Sequence, residues 1–338
     1  MRLSEAGARD LAERAFRRAG VGATPARDAA EILTLAQMMG IETHGLARVG
    51  DYVRRIRAGG IDPAAEPGIS APAPALRLID ARNGLGPAVM RRALDEALGA
   101  AREQGIGAAF VRNGSHLGAL APYLWIAAEA GFACIVTTST APMIAPAGGR
   151  EARIGNTPLG LAIPNPGRTP VILDIALSVA ARSRVRAARK AGTPIPADWA
   201  TDADGLPTTD PAAAMQGLMR AIGGDKGANL ALCLDLFAGL LSGAAILSEI
   251  PNAADTPGTP QNLGQMIVAI DAGRLMPAHA LGARMEDARR IVAGTPAVDP
   301  AQPPRLPGAR AIAALRAARR DGLELAPALL KDLRALAG

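Results

Sequence analysis

Between Leu76 and Asp174 short apolar runs alternate with longer helical stretches, and outside that region the pattern is helical on both sides. This change of character constrains the fold most, because alternation of that kind belongs to an α/β layer structure. Strands are expected over Leu76 to Ala81, Gly107 to Arg112, Phe132 to Thr138, Gly160 to Pro164, Val171 to Asp174 and Met266 to Asp271. Helices are expected over Pro87 to Glu103, Leu120 to Ala130 and Ser178 to Ala191. Before the alternating region, Ser4 caps a first helix that Gly20 ends, Thr24-Pro25 starts a second, and a third follows Thr43 to about Arg57. Pro63 to Pro74 has no period and reads as a linker. Lys226 to Leu247 is apolar nearly all round, which predicts a helix buried on most sides. The tail from Pro277 is helical again, broken at Pro303-Pro304 and Pro307-Gly308. The expectation is one discontinuous helical domain, 1–75 with 290–338, around an α/β domain over 76–289.

The chain has 338 residues and 49% hydrophobic composition, enough for about two domains with real cores and too apolar for disorder. Aromatics make up 2%, so the cores must be built from Ala, Leu, Ile and Val. The 37 basic residues include only three lysines, Lys190, Lys226 and Lys331, and the net charge is +6. The arginines are spread over many helices and few aromatics are available to stack bases, which argues against a nucleic-acid surface. No apolar run reaches the roughly 20 residues of a membrane span. Cys134 and Cys233 both sit in apolar runs and read as buried thiols in a reducing compartment. With no hydrophobic signal region in the first residues, a cytoplasmic location is the expectation.

Chemistry has few places to sit. The three histidines are His44, His116 and His279. At about 100° per residue, His44, Arg48 and Tyr52 fall within one arc of about 80° on a helix. Leu46, Val49, Val53 and Ile56 form the opposite stripe. One face then offers an imidazole, a guanidinium and a phenol, which suits proton transfer beside a carboxylate anchor. The same pattern also describes the solvated face of an amphipathic helix. His116 lies in Asn113-Gly114-Ser115-His116-Leu117-Gly118, between a strand and a helix, where α/β proteins often bind ligands. Asp174 ends an apolar strand, where it either orients a histidine or caps a helix. Gly84-Leu85-Gly86 misses the dinucleotide fingerprint because its third small position is Val89, so an ordinary Rossmann site is not expected. Gly223-Gly224-Asp225-Lys226-Gly227 opens the apolar helix like a phosphate cradle, but Asp225 opposes an anion there. No His, Cys, Asp and Glu grouping has metal-ligand spacing, and no metal is expected.

These segments together resemble the malate/L-lactate dehydrogenase family of the non-Rossmann type. That family includes sulfolactate, ureidoglycolate and diketogulonate dehydrogenases and cyclic-imine carboxylate reductases. The resemblance runs from about Ala6 to Leu336. Its carriers are Thr43-His44-Gly45 with Arg48 and Tyr52, Ser115-His116-Leu117-Gly118, Ala145 to Arg150, and Ile154 to Pro158. Leu173 to Ser178, Pro194-Ile195-Pro196, Pro207 to Pro211, Gly223 to Gly227 and Leu306-Pro307-Gly308 complete the set.

The resemblance implies a malate/sulfolactate dehydrogenase-like fold, with a mixed-sheet cofactor domain and a discontinuous helical domain, assembled as a homodimer. It implies hydride transfer between NAD or NADP and a small 2-oxo acid or cyclic 2-imino acid. It places His44 as the proton donor, with Thr43 and Asp174, and Arg48, Tyr52 and His116 on the substrate carboxylate side. It assigns cofactor contacts to Ser115, His116, Asn156, Thr157, Pro158, Asp174, Asp225, Lys226, Pro307 and Gly308. The chain departs from the family pattern at Ser115, Ser139, Ser183-Arg184, Asp225, Ala228-Asn229 and Ala309, mostly on the dinucleotide side. A second reading therefore stays open: a member that binds a carboxylate, or does acid/base chemistry with His44, without hydride transfer.

Overall fold

The computed structural model describes residues 2–338. Ser4 starts α1 (Glu5–Arg18) by accepting the Gly7 amide on its Oγ at 3.1 Å. α2 (Ala23–Met38) follows, then a 3₁₀ turn at Glu42–His44 and α3 (Arg48–Arg57). A two-residue strand β1 (Arg2–Leu3) pairs antiparallel with β9 (Leu323–Glu324), bringing α11 (Ala309–Asp321) and α12 (Pro327–Ala337) back to the N-terminal helices.

The centre is a seven-stranded sheet. Its strands are β2 (Gly68–Ala73), β3 (Leu76–Asp80), β4 (Ile106–Gly114), β5 (Phe132–Thr138), β6 (Leu159–Ile163), β7 (Val171–Ile175) and β8 (Leu263–Asp271). They lie in the order β2-β3-β4-β8-β5-β6-β7. Only β3 and β4 run parallel, joined by α4 (Gly86–Gln104). Every other neighbouring pair is antiparallel, with β8 between β4 and β5. A Rossmann sheet is mostly parallel, so this sheet is of another kind. It is the mixed sheet that the family resemblance implied.

Two helices cover opposite faces of β4. Gly107 meets α4 so closely that an added Cβ would lie 2.2 Å from the Ala97 carbonyl oxygen. Phe110, of opposite parity on the strand, meets Phe237 of α8 (Asp225–Ser242) with ring centroids 6.1 Å apart. The α4 side merges with Ile32, Leu33 and Leu46 of the helical ends and with Ile312 and Leu315 of α11 in one aliphatic core. The remaining helices are α5 (Ala121–Glu129), α6 (Arg182–Ala191), α7 (Pro211–Gln216), α9 (Ala272–Leu275) and α10 (Ala278–Ala293).

Four local expectations need correction. The third helix is not continuous from Thr43. Gly45, with non-helical backbone at φ −95° and ψ −140°, breaks it, and a Cβ there would stand 2.7 Å from Gln37 Oε1, the atom that accepts the Leu46 amide. The stretch read as a linker contains β2, an edge strand exposed over four of its six residues and so without a buried face to give it a period. α8 is not buried on most sides: Leu230, Phe237, Leu240 and Leu241 form an exposed stripe, 42% to 60% accessible. Cys233 lies on that stripe and is exposed, whereas Cys134 is buried and its thiol pKa is pushed up to about 12 by burial.

Candidate active site

A cleft of about 560 Å³ opens where α3, the turn after β4, the ends of β5 and β7 and the segment before β8 meet. Its size is that of a small-molecule site. The break at Gly45 positions it. His44 sits in the 3₁₀ turn, one step outside α3, and Arg48 and Tyr52 occupy the first two turns of that helix. His116 arrives from the other side, and the two imidazoles stack with centroids 5.6 Å apart and planes 29° apart.

Both rings are neutral. Burial, then the nearby Arg48 charge, lowers the His44 pKa to about 4. His116 is lowered well below the usual histidine value, by burial first and then by Arg48, His44 and Arg55. The tautomer of His116 follows from its neighbours. Its Nδ1 accepts from the Gly118 amide at 3.3 Å and lies 2.7 Å from the Tyr52 hydroxyl. A backbone N–H can only donate, so Nδ1 is unprotonated, Tyr52 donates to it, and Nε2 carries the proton. Tyr52 is 2% exposed, and burial raises its pKa, so it stays a neutral donor. His44 Nδ1 lies 3.0 Å from Thr43 Oγ1.

Arg48 is already partly engaged. Its Nε donates to the Thr43 carbonyl at 2.7 Å and its Nη1 to Asp51 at 3.1 Å. Asp174 Oδ2 accepts the Leu120 and Ala121 amides at 2.9 and 2.8 Å, so it closes the start of α5, not the helix that follows it in sequence. Its observed bonds go to that backbone and not to a histidine. Burial nonetheless raises its pKa.

The cleft gathers His44, Arg48, Tyr52, His116, Asn156, Pro158 and Asp174. Thr43 stands behind His44. Ser115 and Thr157 are fully buried, and Ser115 Oγ donates to the Gly84 carbonyl at 2.8 Å. Pro307 accepts the Ile172 amide at 3.2 Å, and Gly308 lies against that strand. Asp225 and Lys226 stand exposed at the start of α8, away from the cleft lining. Sequence reasoning missed Arg55, Thr138, Thr140 and Gln261, which reach the cleft from three separate segments with no local motif. Among the described residues no three His, Cys, Asp or Glu side chains are grouped to hold a metal, and no helix is long and apolar enough to cross a membrane.

A nicotinamide dinucleotide fits two features. Gly223 and Gly224 adopt positive φ with nothing within 4 Å of a notional Cβ, which leaves room for a ligand against the backbone. Gly224 caps α8 with no side-chain bond, so the first amides of that helix stay free for an anion. In the cleft, the Thr140 hydroxyl donates to Asn156 Oδ1 at 3.1 Å and turns the amide Nδ2 outward as a donor.

A sheet with one parallel strand pair is not a Rossmann sheet, and the cleft beside it sets two imidazoles next to a guanidinium. The sequence model for malate/L-lactate dehydrogenase matches residues 3–334, and the chain belongs to that family. It is 34% identical over 326 residues to Delta(1)-pyrroline-2-carboxylate reductase of Pseudomonas fluorescens, covering 96% of each chain. It is 33% identical to (2R)-3-sulfolactate dehydrogenase (NADP(+)) of Chromohalobacter salexigens, covering 98% of this chain and 96% of that one. The structure of delta1-piperideine-2-carboxylate reductase from Pseudomonas syringae superposes with a TM-score of 0.89 at 29% identity, covering 99% of both. The chain is thus an NAD- or NADP-dependent oxidoreductase acting on CH–OH or C=N carbon. The relatives named here are all reductases or dehydrogenases, which gives no support to a member without hydride transfer.

Proposed function

We propose that the chain reduces a cyclic 2-imino carboxylate, Δ1-pyrroline-2-carboxylate or its six-membered homologue, to the cyclic amino acid. The observation that carries this reading is the neutrality of the cleft: His44 has a pKa near 4 and His116 lies well below its usual value. A cyclic imine enters as an iminium that brings its own proton. Two uncharged rings do not repel it, and His44 accepts the hydrogen bond from its N–H. A 2-oxo acid instead needs a proton for the carbonyl oxygen, and His44 as donor must first be charged. Arg48 holds the substrate carboxylate, which cancels one of the two causes of the low His44 pKa. The cofactor, when bound, supplies the hydride. Asn156 and the free amides at the start of α8 are the residues that would hold it, with Lys226 on the pyrophosphate. Tyr52 holds His116 in the tautomer that presents Nε2–H to the cleft.

The exposed stripe of α8 supports assembly as a homodimer, since a second copy of the same apolar stripe is a self-complementary partner. A cytoplasmic location, and division into a helical unit (1–75 with 290–338) and a cofactor unit (76–289), belong to the same reading. Loss of NADH or NADPH absorbance with Δ1-pyrroline-2-carboxylate, compared with pyruvate, tests it. The expected result is imine turnover with kcat/KM at least about tenfold above the oxo acid. Preference for pyruvate, or no oxidation with either, would overturn it.

A further inference from the structure

Among the described residues no carboxylate pairs with Arg55, a buried cation. The residue is 5% exposed. Nη1 donates to Gln261 Oε1 at 2.7 Å, and Nη2 to the carbonyls of Gly60 and Thr259 at 3.1 and 3.2 Å. Nε lies 3.5 Å from the Pro257 carbonyl oxygen. All four acceptors are neutral. The segment that holds three of them is packed hard against the end of α3: a Cβ on Gly60 would stand 1.9 Å from the Pro257 carbonyl oxygen. Arg55 therefore clips the stretch before β8 onto the helix that carries Arg48 and Tyr52.

The bond to Gln261 has a direction. A guanidinium has donors only, so the amide must turn its oxygen toward Arg55 and its nitrogen away. Gln261 is 6% exposed and lines the cleft with His44 and Arg48. Among the described residues no acceptor bonds its Nε2. A buried side chain thus has two N–H donors without a partner, and the positive charge behind them strengthens those donors.

The cleft leaves a matching demand. Arg48 spends Nε on Thr43 and Nη1 on Asp51, and Asp51 offsets part of its charge. A substrate carboxylate has two oxygens to satisfy, and Arg48 does not supply every donor they take. Arg55 adds to the cleft a positive charge whose observed hydrogen bonds all go to neutral acceptors.

We propose that Gln261 is a further substrate-binding residue, with its Nε2 donating to a carboxylate oxygen of the substrate, and that Arg55 is the positioning residue that turns its amide. This rests on the reading that the substrate is a small 2-imino or 2-oxo carboxylate.

Two variants test it. Gln261→Glu keeps an acceptor for Arg55 but puts an oxygen where the donor was. Gln261→Met keeps the length and removes the donor. Thermal denaturation establishes that each folds. With Δ1-pyrroline-2-carboxylate and NADPH, KM for the imine is expected to rise about 10–100-fold in the Glu variant and about tenfold in the Met variant. kcat and KM for NADPH should change by less than about threefold, a split that general loosening would not give. Calorimetry with pyrrole-2-carboxylate, a planar carboxylate that cannot be reduced by hydride, reads the same site without turnover. Weakened binding by both variants supports the role of Gln261 even if the wild type does not reduce the imine, in which case only the functional reading falls. Wild-type turnover with unchanged KM and unchanged binding in both folded variants overturns the role of Gln261 alone. A wild type that neither reduces the imine nor binds the probe overturns both.

Discussion

The Tyr52 hydroxyl and His116 Nδ1 lie 2.7 Å apart, and this bond settles which nitrogen of His116 faces the cleft. It also engages the phenol, so Tyr52 reaches the cleft lining with its hydroxyl bonded to the imidazole it orients. His116 in turn stacks on His44, so a hidden residue of α3 sets the arrangement of both rings.

Tyr52→Phe is accordingly expected to lower kcat/KM about tenfold while leaving the fold intact, since only the Gly118 amide then holds Nδ1. The cost in stability should be about 1 kcal/mol. Steady-state kinetics and urea denaturation check both numbers. A variant with wild-type kinetics would show that Gly118 alone fixes the tautomer.

Much of this architecture was legible in the sequence. Six central strands, α1, α2, α4 and α5 stand close to where their periods and caps put them, because each has one buried face and a punctuating Gly or Pro. The edge strand β2 was not legible: it buries almost nothing and so has no pattern. The stripe on α8 misled in the opposite direction, because apolar residues on every side do not reveal which side is uncovered. In the site, His44, Arg48 and Tyr52 could be grouped from helical spacing, although His44 lies outside the helix. Gln261 could not be found this way, since it meets Arg55 across 206 residues of chain.

The low His44 and His116 pKa values make stability depend on pH. Between about pH 6.5 and about pH 4 the unfolded chain binds protons at these histidines and the native state does not. Their contribution is complete above about pH 6.5 and is lost as the pH falls toward 4, on the order of 3 kcal/mol for His44. Asp235, raised to about 6 by burial, acts in the opposite sense and gains stability over the same range. The difference between wild type and His44→Ala separates the two. Urea denaturation at about pH 7.5 and about pH 5 should show a larger loss in wild type than in the variant. Equal losses would mean that His44 titrates normally.

At the start of α8 the Asp225 carboxylate stands beside amides that no side chain caps. A negative charge there opposes an anionic pyrophosphate. Asp225→His should tighten NADH and NADPH binding several-fold at low salt, with less gain at high salt as screening rises. Calorimetric titration measures this. Equal affinities, or tighter binding by the aspartate form, would place Asp225 away from the cofactor.

The apolar stripe on α8 predicts the assembly state. Leu240→Glu combined with Leu241→Glu places two charges on the exposed surface and should convert a dimer to monomers at micromolar concentration. Sedimentation reads the mass against the 34.4 kDa chain. A wild type that sediments as a single chain would remove α8 as an interface.

The proposed chemistry turns on His44. Its neutral imidazole is the group that accepts the hydrogen bond of the reacting nitrogen, so His44→Ala should lower kcat for Δ1-pyrroline-2-carboxylate reduction about 10–100-fold. The same variant should bind NADPH within about threefold of the wild type, because the groups proposed to hold the dinucleotide, Asn156 and the amides at the start of α8, are not among the observed contacts of the ring. Single-turnover oxidation of bound NADPH, followed in both proteins with the imine in excess, is the direct measurement. A rate reduced by that factor, with cofactor affinity unchanged, is the predicted result. A variant that turns over near the wild-type rate would contradict the role of His44 and the proposed chemistry of the cleft.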